Sequence, residues 1–179
     1  MVEFRHSLSA YYAEIRNIID DIIMIKFDSG ATNTVISYEM LTRETTSFPK
    51  DISKLTNDEI DTIKANIERK NRFIDRIKEK HQLHPFHSAS GTPMLGVLSK
   101  VNNISISGHL LRAPFYYYLI LDIESPLALL GDDFISCCDF SHKVNGDIKI
   151  TYIDEKYYEN YNDERSILEM NELNELLKL

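Results

Sequence analysis

Two periodicities divide the chain. Apolar, β-branched and aromatic residues at strand spacing mark Tyr11–Ile15, the run from Ile18 to Phe27, Thr34–Ile36, Leu95–Val101, Ile104–Ile106, Leu110–Leu121 and the alternating segment that closes at Ile150. Stretches of this kind form pleated, half-buried strands. A helical spacing governs two other segments. Ile60, Ile63, Ile67, Ile74 and Ile77 recur among charged residues, and Ile167, Met170, Leu173, Leu176 and Leu177 form a stripe within Ser166–Leu179. The first of these helices has a clear start, because Thr56-Asn57-Asp58-Glu59 is a capping box, and it must stop before Pro85.

The punctuation between these segments predicts the turns. Arg16-Asn17 reads as a turn between the first two strands, with Asp20 and Asp21 as an exposed bulge or turn. Tyr38–Lys50 is polar and ends near Pro49, as a loop or short helix does. Small residues with Gly91 and Pro93 make a tight hairpin tip in Ser88–Val101, Gly108 turns the next strand pair, and Asn145-Gly146 is a hairpin turn. At 179 residues the chain is read as a single domain, 1–179, with a helical insertion at about 38–81 and a C-terminal helical extension at about 163–179.

The centre of the pattern is Ile22–Ser37, where two strand-forming runs flank Asp28-Ser29-Gly30. Strand, tight turn, strand places a carboxylate at the floor of a β structure, although Asp-Ser-Gly is also an ordinary turn sequence. Phe27-Asp28-Ser29-Gly30-Ala31 resembles the signature of the retroviral-type aspartic proteases, the retropepsins: apolar, Asp, Thr or Ser, Gly, Ala or Ser. In that chemistry one carboxylate deprotonates a water while a second carboxyl protonates the substrate carbonyl. Two carboxyls about 3 Å apart share a single proton, as the aspartic-protease dyad illustrates. The chain holds no second Asp-Thr/Ser-Gly. The resemblance therefore implies an isologous homodimer whose dyad takes Asp28 from each protomer. It also implies that Ser29 bonds across the two-fold axis and that Gly30 lets the backbone turn closely beneath the carboxylate.

Two further stretches fall in the family's order. Ser88–Val101 stands where the family carries its flap, a hairpin that closes over bound peptide and offers it backbone hydrogen bonds. Ala31 together with Ser90, Gly91 and Thr92 would then line the substrate channel. Leu129-Leu130-Gly131-Asp132-Asp133-Phe134 resembles the apolar-apolar-Gly segment that opens a short helix, with Gly131 passing close beside the catalytic loop. Gly-Asp-Asp also occurs in polynucleotide polymerases, but this chain is too short and too acidic for that reading. The expected fold is mostly β: a retropepsin-like closed acid-protease barrel carrying the inserted long helix and the C-terminal helix. The expected activity is that of an aspartic endopeptidase acting on protein or peptide substrates. A catalytically silent or gated retropepsin-fold module, kept for dimerisation or protein binding, is the rival expectation. The insertion helix is expected on the outer surface of the barrel or, alternatively, as a lid over the cleft.

Composition narrows the partners. A net charge of −8 argues against nucleic acid, and no apolar run approaches a membrane span. Without a basic-then-apolar leader, the expectation is a soluble cytoplasmic protein. Cys137 and Cys138, the only cysteines, are neighbours and cannot build a disulfide framework, so both read as structural. His81, His84 and His87 invite a metal reading, but Pro85 interrupts the helix between them and no Cys or carboxylate cluster completes the set. The dyad and water suffice, so no metal and no organic cofactor are expected.

Overall fold

The computed structural model describes residues 12–19, 21–88, 91–106, 109–111, 114–142, 148–161 and 166–178. Strand β1 (Tyr12–Ile19) pairs antiparallel with β2 (Asp21–Phe27), which delivers the chain to Asp28. The strand continues through Arg16-Asn17, where the sequence predicts a turn. The register slips between Ile15 and Ile19 and the pair closes at Ile19 opposite Asp21. An irregularity inside the strand thus replaces the turn, as a β-bulge does.

Beyond Asp28 come β3 (Val35–Ser37) and the short helix α1 (Tyr38–Thr42). Ser37 caps α1 by accepting from the Met40 N–H at 3.1 Å, and the same oxygen accepts from the Leu127 N–H at 2.9 Å. After a 3-10 turn at Ile52–Lys54 the insertion forms α2 (Asn57–Lys80), with the capping box at Thr56 and Glu59 formed as the sequence predicts. Strands β4 (His84–His87) and β5 (Pro93–Val101) make a hairpin. Pro85 is tolerated in β4 because an edge strand need not donate every N–H. Then follow β6 (Ser105–Ile106), β7 (His109–Leu110), β8 (Phe115–Ile120), β9 (Ala128–Leu130) and the four-residue helix α3 (Asp132–Ile135). Strands β10 (Cys138–His142) and β11 (Ile148–Ile153) pair apart from the main sheet, and the Asn145-Gly146 turn lies outside the described residues, as does Gly108. Helix α4 (Lys156–Glu159), strand β12 (Leu168–Glu169) and helix α5 (Met170–Lys178) complete the chain.

The main sheet runs β12-β5-β8-β3-β9-β2-β1-β6-β7, with β4 on β5. The expected mostly β, closed barrel is corrected here: among the described residues the sheet order is open, and the fold is mixed α and β. Closure needs strands long enough to tilt and coil around an axis, whereas β3 and β9 have three residues each and β6, β7 and β12 two. No helix among the described residues is long and apolar enough to cross a membrane.

Strand β8 is buried throughout, and its three adjacent tyrosines are core residues rather than a stacking surface. Tyr116 stacks on Tyr161 with ring centroids 4.3 Å apart, and its backbone N–H donates to the Tyr157 hydroxyl at 2.8 Å. Leu173 and Leu176 dock α5 onto its own domain. His81, at the end of α2, meets Glu172 of α5 through Nε2 at 2.6 Å and Ser166 through Nδ1 at 2.8 Å.

The docked face of α2 differs from the predicted isoleucine stripe. Ile63, Asn66, Lys70, Phe73 and Ile77 are buried, whereas Ile67 and Ile74 are only half-buried. Lys70, which the pattern assigns to a solvated face, is inside. Its Nζ reaches Glu39 Oε2 of α1 at 2.5 Å and donates to the Ile123 carbonyl at 2.6 Å. Thr46 donates to the same carboxylate oxygen at 2.5 Å, Asn66 donates to the Thr45 carbonyl at 3.1 Å, and Arg69 pairs with Glu44. The helix is thus latched to residues 39–46 and to the loop after β8. Lys70→Leu strands the Glu39 carboxylate without its cation and is expected to cost about 3–5 kcal/mol. The double variant Glu39→Leu/Lys70→Leu should be the more stable of the two in urea denaturation, because it removes both charges together.

Candidate active site

Asp28 sits where β2 ends, and its position is fixed by backbone. Its N–H donates to the Leu130 carbonyl of β9 at 3.0 Å, and its own carbonyl accepts from the Ala31 N–H at 3.1 Å to close the turn. The Gly30 N–H donates to Asp28 Oδ1 at 3.0 Å. A Cβ at Gly30 would meet that oxygen at 3.2 Å, so glycine allows the turn to pass this close beneath the carboxylate. Ser29 is exposed beside it.

Behind the turn, β9 lies between β2 and β3, parallel to the first and antiparallel to the second. Two more bonds cross from the start of α3, Asp132 N–H to the Ala31 carbonyl at 2.7 Å and Asp133 N–H to the Thr32 carbonyl at 3.1 Å. Gly131 is the closest point. A Cβ there would stand 2.4 Å from the Asn33 carbonyl carbon and 2.8 Å from the Thr34 nitrogen, so no side chain fits. The sequence assigned Gly131 a close passage beside this loop, and the structure brings the two together.

Three groups that the sequence reading did not single out complete the support. Thr34 is fully buried; its hydroxyl accepts from the Gly131 N–H at 3.1 Å and donates to Asp133 Oδ1 at 2.8 Å. Tyr161 donates to Asp133 Oδ2 at 2.5 Å, and Asp133 Oδ1 also accepts from the Phe134 N–H at 2.9 Å. A hydroxyl residue inside an apolar β-prone run is the one signal that could have flagged Thr34. Nothing local to Tyr161 announces a partner 28 positions away.

Asp28, Gly30 and Ala31 open onto a cleft of about 770 Å³ whose opposite wall is the β4–β5 hairpin, through Phe86, His87, Ser88 and Met94. Val35, Leu127 and Leu129 make its floor apolar. The hairpin tip is organised by Ser88, whose N–H donates to the Thr92 carbonyl at 2.9 Å and whose hydroxyl accepts from the Thr92 N–H at 3.1 Å. Gly91 adopts φ +82, a left-handed conformation that favours glycine. The sequence places Ser90, Gly91 and Thr92 on the channel. In the structure the base of the hairpin faces the cleft, Gly91 and Thr92 are exposed at the tip outside its lining, and Ser90 lies outside the described residues. No described residue of the 38–81 insertion lines the cleft, so α2 is not a lid over it.

The three histidines diverge: His81 joins Glu172 and Ser166, His84 packs edge-on against Tyr118 with centroids 5.6 Å apart, and His87 lines the cleft. Burial, with Cys137 and Asp139 nearby, pushes the Cys138 thiol up to about 12, which keeps it protonated and unreactive at neutral pH.

Gly131→Ala is expected to lower stability by about 3 kcal/mol or more, because the clash is with backbone that cannot turn aside. Thermal melting reads this directly, and an unchanged midpoint would mean that β9 does not press on the Asp28 turn.

No family model matches the chain, and no curated protein matches its sequence.

Proposed function

We propose that the chain is an aspartic endopeptidase of the retropepsin-like kind, working as a homodimer in which Asp28 of each protomer contributes one carboxyl of the dyad. The observation that carries this reading is the shared cleft. A carboxylate held by a backbone N–H faces the base of a hairpin across a cleft with an apolar floor. Such a channel accepts an extended peptide, and a hairpin above it can contribute backbone bonds to the substrate. The half-exposed Asp28 and exposed Ser29 stand at the end of their strand, where a second copy could bring its own Asp28 within proton-sharing distance.

In this mechanism one ionised Asp28 takes a proton from water. The resulting hydroxide equivalent adds to the scissile carbonyl carbon while the partner's protonated carboxyl gives its proton to the carbonyl oxygen. The tetrahedral intermediate collapses: the C–N bond breaks, the amine leaves with the proton that was taken from water, and a hydroxyl of the intermediate returns its proton to the other carboxyl, restoring the dyad. Catalysis thus needs one proton on the pair, neither zero nor two.

Asp28→Asn is expected to remove cleavage of a random peptide mixture, read by mass spectrometry, while circular dichroism and solution mass stay those of the wild type. Retained cleavage would sink the assignment. The wild-type pH–rate profile should be bell-shaped, because protonating the pair fully and ionising it fully each destroy the reactive form. A flat profile from acidic to neutral pH would count against a shared proton.

A further inference from the structure

The middle of strand β2 alternates. Ile23 and Ile25 are buried in the core, whereas Met24 is 47% exposed. Lys26 and Asp28 continue the outward set, and both line the cleft. Lys26 is the only lysine or arginine among the described residues that do so, in a chain whose net charge is −8. The other titratable groups around the cleft are Asp28 and His87. Lys26 is half-buried, and none of the ion pairs among the described residues includes it. The Asp28 carboxylate shares the cleft with this cation without pairing with it directly.

We propose that Lys26 determines specificity, and that the substrate is a peptide segment carrying aspartate or glutamate within two residues of the bond that is cut. This rests on the endopeptidase reading above. Positions two apart on a strand are separated by about 7 Å, the span of two residues of an extended substrate. A peptide whose scissile bond lies over Asp28 therefore passes a nearby side chain beside Lys26. An acidic side chain there gains an ion pair under a hairpin that excludes water. A neutral one covers the ammonium without compensation, and a basic one is repelled. The apolar floor at Val35, Leu127 and Leu129 favours apolar neighbours on either side of the acidic residue. In an isologous dimer the second Lys26 stands on the far side of the dyad, so the preference holds on both sides of the bond.

The test uses the full chain and a synthetic peptide library, with positions around each cut read by mass spectrometry for wild type and Lys26→Glu. Aspartate and glutamate should be enriched within two residues of the cut by wild type. In Lys26→Glu, lysine and arginine should take their place, with the ratio of kcat/KM for acidic over basic peptides falling roughly tenfold or more. A merely structural Lys26 would lower cleavage of all peptides alike. Cleavage without acidic enrichment, or enrichment that survives Lys26→Glu, overturns the inference and leaves the endopeptidase reading standing. Retention of the same library on immobilised Asp28→Asn and Asp28→Asn/Lys26→Glu separates the remaining cases. Acidic peptides held by the first and lost by the second, with no cutting by wild type, uphold Lys26 as the selector and reject the endopeptidase reading. Neither cutting nor selective retention overturns both.

Discussion

Everything around Asp28 depends on one close approach, that of β9 to the turn after β2. Strands in a sheet ordinarily lie nearly 5 Å apart, but at Gly131 the two backbones come so near that even a methyl group is excluded. The approach is held by a run of bonds from Leu130, Asp132 and Asp133 to Asp28, Ala31 and Thr32. A turn bonded in this way along both its ends has little freedom, so its carboxylate is presented in one place. The geometry also explains why β9 can be only three residues long. It is clamped between β2 and β3 and acts as a wedge rather than as a sheet element in its own right.

The wedge is itself supported from two directions. From behind, Asp133 collects the Thr34 hydroxyl, the Phe134 N–H and the Tyr161 hydroxyl, tying the C-terminal tyrosine cluster to the Asp28 turn. Tyr157, buried beside Tyr161 and bonded to the backbone of Tyr116, has its phenol pushed up by burial and stays neutral. From the side, Lys70 of the insertion helix binds the Ile123 carbonyl in the loop that leads to β9. A buried ion pair is weak evidence for stability, since desolvation offsets much of its attraction. What the Glu39–Lys70 pair fixes is register, setting how α2 lies on α1 and on the β8–β9 loop. The insertion, which lines no part of the cleft, thus bears on it only through the scaffold.

Much of this was legible in the residues. The capping box at Thr56, the strands flanking Asp28 and the hairpin around Gly91 each follow from a local rule about caps, alternation or the absence of a side chain, and the tight passage at Gly131 was implied by the family resemblance. The errors have a common cause. Arg16-Asn17 has the composition of a turn yet stays in a strand because β6, far along the chain, pairs with it, Arg16 opposite Ser105. Lys70 has the character of a surface residue yet is buried because Glu39, thirty-one positions earlier, meets it there. Closure of the sheet was expected from the order of motifs, but order does not set strand length.

The sequence by itself determined most of the strands, the capped start of the insertion helix, and that a carboxylate stands between two strands beside a glycine. These are properties of periods and of single residues, settled within a few positions. Only the tertiary structure decided that the base of the β4–β5 hairpin, rather than its tip, faces Asp28, that Lys26 shares the cleft, and that Thr34, Asp133 and Tyr161 converge behind it. Those relations join segments up to 99 positions apart. They depend on how strands stack in one sheet, which no local pattern encodes.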